Sequence, residues 1–169
     1  SFSGRNSAGL SVDGPSEHRD TLLDLLAEAL LEPALSHTEI ERERADTLAS
    51  LARRKDRLSS QAFDLFFKTL YPTHPYRIPI LGSEKSVKGI TKAHLVDLHE
   101  SLVRGQNVDI ACVGDIEPRE LAEDLNLRLA HLPRKKYEII LPEEDVLLES
   151  PKEVELRIDR SQAHLVIGF

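Results

Sequence analysis

The feature that most constrains this chain is its helical leucine spacing, cut at short intervals by residues that stop and start helices. From Ser16 to Glu32, the residues Leu22, Leu23, Leu26, Ala29 and Leu30 recur with a 3.6-residue period, and Pro33 ends the run. Ser36 with Glu39 matches a capping box, in which the hydroxyl accepts from an early backbone N–H and the carboxylate reaches back. That pair predicts a second helix from His37 to Arg54 with Ile40, Leu48 and Leu51 on its buried side. Its end, ARRKD, places cations at the negative end of the helix dipole.

Further along, Phe63, Leu65, Phe66 and Phe67 mark a third helix over 60–70. The stretch YPTHPYRIPILGSEKSVKGI follows, rich in proline and glycine, and reads as a long irregular loop. Thr91 caps a fourth helix through Leu95, Leu98 and Leu102, and Pro118 opens a fifth carrying Leu121, Leu125 and Leu129. Strands are expected at 7–13, at 107–113 and within 157–169. That order favours an α+β fold, mostly antiparallel sheet with helices packed on one face, over a parallel βαβ array. Residues 133–152 are charged and proline-bearing and read as a linker between a module over 1–132 and a segment over 153–169.

The size, 169 residues, suffices for a sizeable core, and 40% hydrophobic with 30% charged residues indicates a globular chain. A net charge of −7 with both signs interspersed argues against a nucleic-acid binder, which needs a basic patch to neutralise phosphates. No apolar run approaches the roughly 20 residues that span a bilayer. Cys112, the sole cysteine, lies in the apolar run VDIACVGD and is expected to be a buried small hydrophobe. The compartment, cytoplasmic or periplasmic, is not fixed by these features. A chain without Met that opens on SFSGRNSAGL and closes on AHLVIGF looks like a piece of a longer protein.

A zinc hydrolase needs converging His, Cys or carboxylate ligands and a base for the bound water, and two His four apart around a Glu supply this on one helix. None of the seven histidines pairs that way; His94 and His99 are five apart, and His18 has Glu17 but no preceding His at the required spacing. The sequence also lacks a nucleophile elbow, a phosphate loop and a dinucleotide fingerprint. Glu39 and Glu43 share a helix face with Arg42 and Arg44 nearby, which reads as a solvated face with exposed ion pairs.

Several segments, in order, resemble the M16 family of zinc metallopeptidases, the insulinase, pitrilysin and mitochondrial-processing-peptidase group. They are FSGRNSAGL, the helix pair within LLEPALSHTEIERERADTLASLARRKDRLSSQAF, the loop LYPTHPYRIPILGSEKSVKGIT, and NVDIACVGDIEP. The last segment, RSQAHLVIGF, is similar to the first strand of a following homologous module. Active members of the family bind zinc through an H-x-x-E-H helix, which would lie before residue 1, and a downstream Glu. ERADTLASL aligns with the downstream element. There Glu43 matches an acidic position that supports the metal ligands, Ser50 stands at the ligand position, and Ala49 replaces its acidic neighbour. The resemblance therefore implies a non-catalytic module with no catalytic or metal residue of its own, zinc being held by a catalytic partner module. It also implies a homologous module as partner, in the same or another chain, and an extended peptide as substrate of the parent peptidase. Two alternatives stay open: a fragment of an active peptidase whose H-x-x-E-H lies upstream, and a structural subunit like the family's core proteins in respiratory complexes.

Overall fold

The computed structural model describes residues 1–134 and 150–168. These fall into two compact units, one of residues 1–37 with 91–134 and one of residues 38–90 with 150–168.

The first unit opens on a two-stranded antiparallel ribbon, β1 (Phe2–Ser3) and β2 (Ala8–Gly9), in register Phe2 with Gly9 and Ser3 with Ala8. The Gly4 N–H donates to the Ser7 carbonyl across the turn, at 2.8 Å. A 3₁₀ turn over Ser16–His18 leads into α1 (Arg19–Leu31), which buries Leu23 of the expected apolar set and Ala27 one turn on, outside that set, while Ala29 is exposed. Helices α5 (Lys92–Leu102) and α6 (Pro118–Arg128) complete the unit. Thr91 caps α5 as expected: its hydroxyl accepts from the His94 N–H, and His94 Nδ1 accepts from the Thr91 N–H, both at 3.3 Å. Two polar devices fasten these helices. Arg128 Nε donates to Asp24 Oδ1 at 2.7 Å, joining α6 to α1, and Arg19 adds contacts to Asp124 at 3.6 Å and Glu120 at 4.0 Å. His99 Nε2 lies 2.7 Å from the Leu30 carbonyl; a carbonyl only accepts, so Nε2 carries the hydrogen and ties α5 to the end of α1.

The second unit holds α2 (His37–Lys55), α3 (Leu58–Leu70) and a short α4 (Glu84–Gly89). Helix α2 begins directly after Ser36, and Leu51 on its predicted inner face is buried, with Ile40 and Leu48 partly so. Arg54 Nη2 donates to Asp64 Oδ1 at 2.7 Å and fixes α2 to α3. From α3 an aromatic chain runs through Phe66 and Phe67 to Tyr71, Tyr76 and His74, with ring centroids 4.6–6.2 Å apart. Pairs at such separations add attraction beyond simple burial. Gly168 passes over the Phe66 ring, where a side chain would overlap it.

Three expectations change. The stretch 71–90 is not wholly irregular: Pro75–Arg77 form a 3₁₀ turn, with His74 Nδ1 accepting from the Tyr76 N–H, and α4 starts at a Ser83–Ser86 capping box. Proline at a first helical position and serine at a cap are starters as much as breakers. The sheet is also smaller than expected. Among the described residues the only strands are β1 and β2, and 107–113 and 150–168 carry none. An apolar run becomes a strand only when a neighbour completes its ladder, and no described segment pairs with these. The fold is thus α+β and helix-rich, and is not dominated by sheet. Cys112, in the run 107–113, is exposed rather than buried. The runs YEII and DVLL, like most of the linker at 133–152, fall outside the described residues.

Candidate functional site

The residues singled out by the sequence lie on the exposed and half-exposed side of α2. Glu43 is exposed and Ser50 half-buried, seven residues and two turns further along the same helix. Arg53, three residues beyond Ser50, donates from Nη2 to Ser50 Oγ at 2.8 Å. The position therefore presents a neutral hydroxyl already engaged by a guanidinium. A hydroxyl is a poor zinc ligand, and a fixed positive charge beside it repels a divalent cation.

Glu43 is met by Arg42, whose Nη2 lies 3.7 Å from Glu43 Oε1 and 2.5 Å from Glu39 Oε2. The two carboxylates thus share one arginine, as the helix spacing predicted for Arg42. Arg44 does something different. Its guanidinium meets Glu41 at 3.2 Å, and also donates to the Ile90 carbonyl at 2.7 Å and to the Val87 carbonyl. Those two carbonyls sit at the C-terminal end of α4, where a helix leaves acceptors unsatisfied and carries negative partial charge. With its side chain only 17% exposed, Arg44 is a strut between α2 and α4 rather than a surface ion pair. The sequence showed only an alternating Glu–Arg run, and nothing in it distinguishes Arg44 from Arg42.

The histidines have separate tasks. His74 and His94 cap helical turns, His99 joins two helices, and His18 lies 3.8 Å from Glu17 on the surface. Among the described residues, no three His, Cys, Asp or Glu side chains converge as a metal would require. No described helix is long and apolar enough to cross a membrane. Two charges are shifted by their surroundings. Hydrogen bonding and attraction from Lys88, with Lys55 adding to both, hold the Glu84 carboxyl below its ordinary range. The Asp24 hydrogen bond raises Arg128 above its ordinary value, with Asp124 and Asp20 adding to it.

No family model matches the chain. It is 22% identical over 154 residues, 91% of its length, to an uncharacterised zinc protease of Rickettsia felis. It is 29% identical over 101 residues, 60% of its length, to the mitochondrial-processing peptidase subunit beta of Bos taurus. These matches span 36% and 21% of the respective relatives, so the chain corresponds to a minor part of each. Among solved structures, a peptidase M16 inactive domain from Pseudomonas fluorescens superposes with a TM-score of 0.69 at 28% identity, over 75% of this chain and 31% of that one. In sequence and fold the chain is thus similar to a part of M16-type peptidases, among them a domain described as inactive.

Proposed function

We propose that the module forms part of the wall of a peptide-enclosing chamber and leaves bond cleavage to a homologous module that carries the zinc. The observation that carries this reading is the Ser50–Arg53 hydrogen bond at the position where the resemblance puts a carboxylate ligand. Zinc does not fit this face of α2: the donor set offers one hydroxyl and a guanidinium, with Glu43 two turns away and held by Arg42. The likeness to an inactive domain supports the same role. On this reading residues 153–169 begin the following homologous module, and the parent protein encloses extended peptides, binding them partly by adding a strand to a sheet edge.

The test combines the purified chain with its homologous partner module and follows both zinc content and cleavage of an extended reporter peptide. Zinc and cleavage are expected only when the partner is present. Ser50→Glu is expected to leave the chain alone without zinc, because the two histidines of the family's site are not supplied by α2. Stoichiometric zinc on the isolated chain, lost on Glu43→Ala, would overturn the reading.

A further inference from the structure

The turn between α2 and α3 and the segment 160–164 together line an open depression of about 340 Å³, in the size range of small-ligand sites. Its rim consists of Asp56, Arg57 and Ser59 on one side and Arg160, Gln162 and His164 on the other, with Leu58 and Ser161 completing the lining. Two segments about a hundred residues apart thus place two arginines in the lining of one depression, in a chain whose net charge is −7.

Most arginines around them are engaged: Arg53 by Ser50, Arg54 by Asp64, Arg44 by Glu41 and two carbonyls. Arg57 and Arg160 are different. Among the described residues neither side chain makes an ion pair or hydrogen bond, and each joins the fold through its backbone N–H. Asp56 is the sole carboxylate of the lining, so the two guanidinia outnumber it. The remaining polar groups, two serine hydroxyls, a glutamine amide and an imidazole, can all donate. Planar guanidinia with several such donors match a carboxylate, which accepts through two oxygens. Leu58 provides an apolar patch for the side chain next to it.

We propose that this depression binds the free α-carboxylate at the C-terminal end of an extended peptide. The proposal rests on the reading of the module as a peptide-enclosing wall and adds to it an anchor that reads the end of the peptide. The test uses an extended, otherwise uncharged peptide labelled at its N-terminus, prepared as the free acid and as the C-terminal amide, and titrated against the whole chain by fluorescence anisotropy. The free acid is expected to bind about tenfold or more tightly than the amide, the range of a charge-assisted hydrogen-bond pair. Arg57→Ala or Arg160→Ala should bring the acid to the level of the amide and leave the amide unchanged. The comparison on the unaltered chain stands even if a variant folds poorly. Equal binding of acid and amide overturns the end-recognition site while leaving the peptide-enclosing reading intact. If inorganic phosphate shifts the amide resonances of Ser59 and Ser161 but neither peptide binds, the depression takes a free anion and the proposal fails. Absence of binding by all three probes overturns the end-recognition site, while the wall reading is decided separately by zinc and cleavage with the partner module.

Discussion

Arg44 shows how a single residue can leave a pattern that otherwise looks uniform. In ERERAD the arginines are equivalent by spacing, yet Arg42 stays on the surface between Glu39 and Glu43 whereas Arg44 reaches the carbonyls of Val87 and Ile90. Hydrogen bonds from a charged donor contribute more than neutral ones, and removing this donor loses two of them together with the packing of a mostly buried side chain. Arg44→Ala is therefore expected to lower unfolding stability by about 2 kcal/mol, while Arg42→Ala changes it by under about 0.5 kcal/mol. Arg44→Lys should recover less than half of the loss, because an ammonium cannot address two carbonyls with a rigid fork. Urea denaturation of the three variants measures these differences; equal effects at positions 42 and 44 would contradict the strut.

Helix positions were legible wherever a period and a cap agreed: α1, α2, α5 and α6 lie close to their expected bounds, and Thr91 and Pro118 start their helices as read. Helix α4 was missed because its six residues are too short to show a period, and its start signal is a serine pair rather than Ser with Glu. Its stability should depend on pH through Glu84. The folded carboxyl titrates below its unfolded value, so its contribution is complete above the ordinary carboxylate range and is lost as pH falls through the lowered value. Glu84→Gln is expected to remove that acid-side change, and salt should weaken it, since the pair is exposed. Titration followed by the amide resonances of α4 checks both. Between α1 and α6 the load falls on Arg128, which stays charged throughout any practical pH range. Arg128→Ala should cost under about 1 kcal/mol, with much of the difference gone at high salt, as thermal unfolding in both buffers would show.

At the scale of the whole molecule, the buried hydrophobic residues among those described are Leu23 and Ala27 in one unit and Leu51 and Val87 in the other, and no large side chain among them is completely buried. Val113 is 100% exposed, Leu165 84% and Ile167 80%, all in the runs expected to be strands. Such surface favours association. The isolated chain is expected to bind a hydrophobic dye such as ANS, and adding the homologous partner module should suppress that signal. Dye binding unchanged by the partner would count against these runs being the surface it covers. The sequence by itself determined most of the helices and their caps, because periodicity and capping are local. Only the tertiary structure decided that Arg53 engages Ser50, that Arg44 braces α4, that Cys112 is exposed and that 107–113 has no partner strand among the described residues. Those outcomes depend on which neighbour is present to accept a hydrogen bond or complete a ladder, and a linear pattern does not specify that neighbour.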